Sequence, residues 1–545
     1  MTHTPPLPSR RGGRLAVTAL VSSLALGAAL LPAAAASADT VAPTPPKPAC
    51  AQSIAVVGFP VTPTPLVPKS TPAPVLDVEV TGTLPAGLSL VATPAYAYIV
   101  GSPTRTETVS YTVTAEITLG GVTTTSSIDC TMAVEKAPTT TRIGGTDRYD
   151  QSVLVSKATY TSAKTVYLAS GEKFTDALSA SSVAAHHEAP LLLSPQAGVT
   201  PGVLAEIERL AATNVVIVGG PATLAPAVAD QVAALKSAPK VSRIGGADRF
   251  EVSRNLIASP DFGIPKADDL YIATGATFPD ALGASPAAAL VDAPVLLVNG
   301  SATALTATEK ATLATLGTKH AVVVGGPASI SPSLFASIAK NADTSERIDG
   351  IDRYQVNSAL NADSFTSADS LYLASATVFP DALSGGAAAG QGDSPLYITQ
   401  ANCVSPEAGQ AIGRLAPETV FVLGGTATLG TALDTLTPCS ADVAGPVVNG
   451  YTAREVYQAC AIATPASTFE GIDPTPLAAP FSADKVIAGV DVYTKDSVPA
   501  ADHASVATVH VTWPLNTTPP TTVTSICVAS GYTADPTVTF LRTVS

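Results

Sequence analysis

Three Asp-Arg pairs, each followed by an aromatic residue, recur along the chain: Asp147-Arg148-Tyr149, Asp248-Arg249-Phe250 and Asp352-Arg353-Tyr354. A guanidinium is a planar fork of donors suited to carboxylate or phosphate. Three such forks, 101 and 104 residues apart, suit multivalent contact with a repeating anionic ligand. The competing reading is a structural ion pair with the neighbouring aspartate or with another repeat. The aspartates suit turns or the N-cap of a following helix, and the aromatic residue reads as packing. Arg142, Arg243 and Arg347 recur six residues earlier. They either extend the cationic site or serve the surface at a repeat junction. The Gly-Gly or Asp-Gly between the two arginines marks a tight turn. Asp349 in the third copy adds a negative charge that makes the three copies unequal.

A second acidic trio, Asp176, Asp280 and Asp381, follows a short apolar run and opens a segment of helical composition. Capping of the first free N–H groups is one role for it. Contact with a polymer hydroxyl is the other, since ligands of open α/β sheets sit at the carboxyl ends of strands. The turns GGPAT, GGPAS and GGTAT follow another strand and either shape the chain or present N–H groups to an anion. They match neither a Walker loop nor a dinucleotide fingerprint. His186-His187 invites a metal or base role, but the second repeat has Leu290-Val291 there. No H-E-x-x-H, G-x-S-x-G or Cys–His nucleophile spacing occurs. The sequence therefore singles out no catalytic residue, metal site or cofactor site.

The elements that must position these residues follow from self-similarity. Four motifs recur in one order, three times. They are RIGGTDRY with its copies, then VYLASGEKFTDAL, LYIATGATFPDAL and LYLASATVFPDAL. Next come APLLLS, APVLLV and SPLYIT, then VVIVGGPATL, AVVVGGPASI and VFVLGGTATL. Continuous apolar strands alternating with helices imply a parallel sheet covered on both faces. The expected repeats are 140–238, 239–340 and 344–440. Residues 50–136 alternate apolar and polar between Pro and Gly turns, which predicts a β domain. Residues 441–545 read as a small β domain, with Trp513 either core or sugar-stacking.

With 46% hydrophobic and 13% charged residues the chain is that of a folded protein. The net charge of −14 disfavours general nucleic-acid binding. Residues 1–38 read as an export signal. Arg10, Arg11 and Arg14 precede an apolar run, and Ala36-Ser37-Ala38 supplies a cleavage site. A Pro-rich linker covers 39–49, and no later segment is apolar enough for a membrane span. In an exported chain six cysteines favour disulfides. The domain limits suggest Cys50–Cys130, Cys403–Cys439 and Cys460–Cys527 out of the 15 possible pairings.

The four motifs, three in tandem, are similar to those of the cell-wall-binding repeat type 2 family. LPAGLSL followed by GSPTRTETVSYTVTAEI resembles the Ig-like domains of bacterial surface proteins. These resemblances imply a multidomain fold. Three tandem Toprim-like or Rossmann-like α/β repeats stand in pseudo-threefold arrangement, flanked by an Ig-like β-sandwich and a C-terminal β domain. They also imply non-covalent attachment of a secreted protein to an anionic wall polymer of a Gram-positive-type bacterium. The expected function is non-enzymatic display of the flanking domains. The alternative is a wall-modifying hydrolase, of amidase or glycosidase type, targeted by the same repeats.

Overall fold

The computed structural model describes residues 47–62, 64–67, 75–92, 97–119, 122–350 and 352–439, with strand segments between 447 and 544. The leader, most of the linker and the expected Cys460–Cys527 pair lie outside the described residues.

The N-terminal β domain contains β1 (Ile54–Val56), β2 (Val75–Gly82), β3 (Leu88–Ala92), β4 (Ala97–Gly101), β5 (Glu107–Leu119) and β6 (Val122–Glu135). One sheet has the order β1-β6-β5-β2, and β3 pairs separately with β4. Strand alternation sorts the long β5–β6 hairpin into two faces. Tyr111, Val113, Ala115, Met132 and Val134 point into the core. The outer face pairs Thr112 with Asp129 at 2.8 Å and Thr114 with Ser127 at 3.0 Å. The Cys50–Cys130 disulfide ties the first residues of the domain to β6.

Next come β7 (Thr139–Ile143), α1 (Arg148–Thr159), β8 (Thr165–Ser170), α2 (Ala180–His186), β9 (Leu191–Ser194), α3 (Pro201–Arg209), β10 (Asn214–Val218), α4 (Pro226–Ala233) and β11 (Lys240–Ile244). The second copy runs α5 (Arg249–Ile257), β12 (Asp269–Thr274), α6 (Pro279–Leu290), β13 (Val295–Val298), α7 (Ala307–Leu316), β14 (His320–Val324), α8 (Pro332–Ala339) and β15 (Thr344–Ile348). The third has α9 (Arg353–Ser364), β16 (Ser370–Ser375), α10 (Pro380–Gln391), β17 (Leu396–Thr399), α11 (Pro406–Leu415) and β18 (Thr419–Leu423).

Three four-stranded sheets result: β11-β10-β8-β9, β13-β12-β14-β15 and β17-β16-β18-β7. Every pairing within them is parallel. All six residues of β8 are buried, as expected of a strand covered on both faces. The structural units are offset from the sequence repeats. The strand that opens each sequence repeat completes the sheet of the preceding unit. Thus β11 and β15 belong to the first and second units, and β7 pairs with β18 of the third. Thr139 lies opposite Thr419 and Ile143 opposite Leu423, so the first strand of the repeat region closes a ring on the last sheet. The expected limits at 140, 239 and 344 therefore cut through or just before strands that serve the neighbouring unit.

Helices α2, α6 and α10 each pack against the other two, and one apolar core runs through all three units. Small residues make this approach possible. A Cβ on Gly390 would stand 2.7 Å from the Ala289 Cβ and 2.9 Å from the Ala185 Cβ. The β domain is anchored to the third unit. Val56 and Phe59 join the shared core, and the Gln52 Nε2 donates to the Gly413 carbonyl at 3.1 Å. Cys403–Cys439 ties the loop after β17 to the end of that unit. Towards the C-terminus, Val490–Tyr493, Val506–Pro514, Thr522–Ser530 and Thr537–Val544 form an antiparallel sheet. Among the described residues no helix is long and apolar enough to cross a membrane.

Candidate functional site

The Asp-Arg-aromatic motif starts a helix in each unit. Asp147 is the N-cap of α1, its Oδ1 accepting from the backbone N–H groups of Tyr149 and Asp150 at 2.8 Å each. Asp248 caps α5 and Asp352 caps α9 in the same way. This satisfies donors that the first helical turn leaves open. The arginine then occupies the first helical position. Its Nη1 donates to the carbonyl just past the central strand: Arg148 to Gly171 and Arg249 to Gly275 at 2.5 Å, Arg353 to Ala376 at 2.6 Å. Among the described residues none of the three makes an ion pair within 4.0 Å. The ion pair with the adjacent aspartate is therefore not formed. The remaining donors of each fork, Nε and Nη2, carry no hydrogen bond among the described residues.

Each arginine faces the preceding unit around the ring. The Arg148 Cζ lies 6.0 Å from the ring centroid of Phe379, and the Arg249 Cζ lies 5.9 Å from that of Phe174. The charge of Arg353 acts on Asp280 of the second unit. The phenylalanines of the three FxDAL turns also meet one another. Phe174, Phe278 and Phe379 have centroid separations of 5.6, 5.5 and 6.0 Å, in edge-on or tilted geometry. Such spacings are favourable for aromatic pairs. All three rings stay half-buried. In the sequence these residues recur at one position of the FTDAL and FPDAL turns. Their signal was recurrence at one position of a loop, where a core residue is not required.

Asp176, Asp280 and Asp381 stand two residues after these rings and are buried, with 6–7% exposure. Their expected capping role needs correction. The N-caps of α6 and α10 are Phe278 and Phe379, neither with a side-chain cap bond, and α2 begins only at Ala180. Instead each carboxylate lies against the first glycine of a Gly-Gly turn. Gly219, Gly325 and Gly424 have φ of +118°, +112° and +116°. A Cβ there would come within 2.5–2.6 Å of the aspartate Oδ2. Both the backbone conformation and the close approach call for glycine. Burial pushes the Asp381 carboxyl up to about 6, with the Arg148 charge opposing the shift. Burial also raises Asp280, against a hydrogen bond from Ser329 and the charge of Arg353.

The other arginine trio does different work. Arg142 on β7 donates from Nη1 to the carbonyls of Gly424 and Leu429 at 2.8 Å each. Its Nη2 reaches the Gly430 carbonyl at 2.9 Å and its Nε the Asp434 carboxylate at 2.7 Å. Arg243 reaches the carbonyls of Gly219 and Ala225, and Arg347 those of Gly325 and Ile330. Arg347 also stacks on Phe335, its Cζ 4.8 Å from the ring centroid. This corrects the expectation that they extend the cationic site. They pin each Gly-Gly turn to the edge strand from the next sequence repeat.

Where the first and second units meet, a cleft of about 510 Å³ is lined by Phe174, Asp176, Gly220, Thr223, Asp248 and Arg249 among others. It brings together Asp176 and Arg249 near the carboxyl ends of parallel strands, where such sheets hold ligands. The histidine pair lies at the other end of α2. The His186 Nδ1 is 2.8 Å from the Asp292 carboxylate, and the His187 Nε2 is 3.0 Å from the Gly263 carbonyl. Burial lowers the His187 pKa. Among the described residues no group of three or more His, Cys, Asp or Glu side chains could hold a metal.

Tandem parallel α/β units, each turning the arginine of its first helix towards a neighbouring unit, define a repeat-built α/β module. Residues 142–229, 243–335 and 347–433 match the family described as cell wall binding domain 2, and the chain carries three repeats of that family. It is 27% identical over 290 residues to the N-acetylmuramoyl-L-alanine amidase LytC of Bacillus subtilis (strain 168), covering 53% of this chain and 56% of that one. It is 28% identical over 274 residues to the amidase enhancer of the same organism, covering 50% of this chain and 36% of that one. The chain thus spans about half or less of the length of the curated relatives it matches. Cwp6 from Clostridium difficile shares the fold, with a TM-score of 0.51, 19% identity, and coverage of 71% of this chain and 67% of that chain.

Proposed function

We propose that this chain is a non-enzymatic, secreted wall-binding protein of a Gram-positive-type cell surface. Its three repeats assemble about a pseudo-threefold axis and attach non-covalently to an anionic wall polymer. The observation that carries this reading is the trio Arg148, Arg249 and Arg353. Each is held by one carbonyl, faces the neighbouring unit, and keeps donors in the geometry that suits phosphate or carboxylate. The net charge of −14 opposes any anion, so local forks must supply the attraction. The Ig-like reading of residues 50–136 supports a spacer role, since that domain packs on the third unit and presents a hydroxyl-rich outer face.

The relatives' names favour a second reading, a wall-modifying hydrolase targeted by the same repeats. Two assays on the full chain separate them. Co-sedimentation with purified Bacillus subtilis walls should retain the protein, and walls stripped of anionic polymer should not. Equal retention on both would overturn the attachment reading. Clearing of peptidoglycan in a zymogram would establish the hydrolase.

A further inference from the structure

We propose that the three repeats form one composite ligand site where they meet, not three independent ones. That site takes a single sugar segment of an anionic glycan, stacked on a phenylalanine floor. The inference rests on the wall-attachment reading and deepens it.

The floor is Phe174, Phe278 and Phe379. Each ring lies within 6.0 Å of both others, so the three present one continuous apolar surface. Rings packed edge-on to one another cannot serve as three separate stacking platforms. The patch has the footprint of one sugar ring, whose C–H face packs on aromatic surface while its hydroxyls stay wet. The rim is Arg148, Arg249 and Arg353. Two of these lie at 5.9 and 6.0 Å from a floor ring that belongs to the preceding unit. The third acts on Asp280, two residues from the third ring. Each unit therefore contributes a floor residue to one neighbour's arginine and an arginine to the other neighbour's floor. No unit holds a complete site alone. Arg148 and Arg353 are exposed and Arg249 half-buried, so the rim stays open to an incoming anion. Floor and rim together fit a glycan whose sugar carries or adjoins a phosphate or carboxylate. A neutral sugar would leave the rim unmatched, and a bare phosphate would leave the floor unused.

The test is calorimetric titration of the full chain. The probe is short anionic oligosaccharides released by mild acid from purified Bacillus subtilis walls, with inorganic phosphate as the control. One oligosaccharide should bind per chain, and phosphate should bind at least roughly tenfold more weakly. Phe174→Leu, Phe278→Leu and Phe379→Leu keep apolar volume and remove the ring face. Each alone should weaken the single site roughly tenfold. Phe379→Tyr should restore binding to near wild type. Three bound oligosaccharides, or single substitutions that each remove a third of the capacity at unchanged affinity, would overturn the composite site. Binding at unit stoichiometry that ignores all three leucine variants would overturn the floor. Binding of phosphate as tight as oligosaccharide would reduce the site to a simple anion clamp and overturn sugar recognition. Wild-type protein that binds neither oligosaccharide nor walls would instead overturn the attachment reading itself. A melting temperature recorded for each variant distinguishes lost binding from lost fold.

Discussion

The two arginines of each RIxGxDR[YF] motif are six residues apart and recur equally faithfully, yet they have opposite surroundings. Arg142, Arg243 and Arg347 point their donors at carbonyls of the Gly-Gly turn and its following segment. Arg148, Arg249 and Arg353 make one carbonyl bond each and face a neighbouring unit's aromatic ring or acid. The first trio sits on strands that complete the sheet begun by another sequence repeat, so it ties one sequence repeat to the next. The second sits at helix starts that already have an aspartate cap, so its charge is not needed for capping. Recurrence marks a residue as required; the hydrogen-bond inventory of its donors shows what it is required for.

The comparison predicts different failures. Arg142→Ala should have the largest effect. It leaves three carbonyls and Asp434 without their partner at the seam that closes the ring. A loss of about 3 kcal/mol is expected, measured by urea unfolding. Arg142→Lys should recover little, since a single ammonium cannot span four acceptors. Stability unchanged in Arg142→Ala would remove the distinction between the trios. The combined Arg148→Ala, Arg249→Ala and Arg353→Ala variant should come next. Attachment to purified walls should fall roughly 100-fold, equivalent to about 2.7 kcal/mol, because the three contacts act together. Its urea midpoint should move far less than that of Arg142→Ala. A large stability loss with affinity retained would reverse the assignment.

Much of this was legible in the sequence, and the limits have physical causes. The period near 100 residues, the parallel strands and the Asp147, Asp248 and Asp352 caps follow from apolar runs and from Asp before a helical segment. Strand exchange between units was not legible. The local sequence of β7 specifies an extended segment, but its partner β18 lies some 280 residues away, and pairing is a tertiary choice. Asp381 misled for a related reason. Its place before DAL suits a cap, but its side chain turns to Gly424, a contact across the sheet that no local window contains. The phenylalanine cluster was hidden because three rings 100 residues apart in sequence meet only when the ring closes.

The smallest expected effect separates the buried acids from the arginines they face. Asp381 has its carboxyl pushed up to about 6 by burial, above its ordinary value of 3.8. Above that pH the carboxylate is charged in both the folded and unfolded chain, and the fold bears the cost of burying it. As pH falls through 6 the folded chain takes up a proton that the unfolded chain takes up only near 4. This one group therefore stabilises the fold as pH drops from 7 to 4, by about 2 kcal/mol. Other carboxylates titrate over the same range, so the informative quantity is a difference. Asp381→Asn should be more stable than wild type at pH 7, and the gap should close by pH 4, measured by urea unfolding at both. Arg148→Ala removes the charge that opposes the shift. It should raise the Asp381 carboxyl further and widen the gap between Asp381→Asn and its parent at pH 7. A gap of the same size at both pH values would mean that the aspartate is solvated in the working protein, and that the charge of Arg148 is free to act wholly on a ligand.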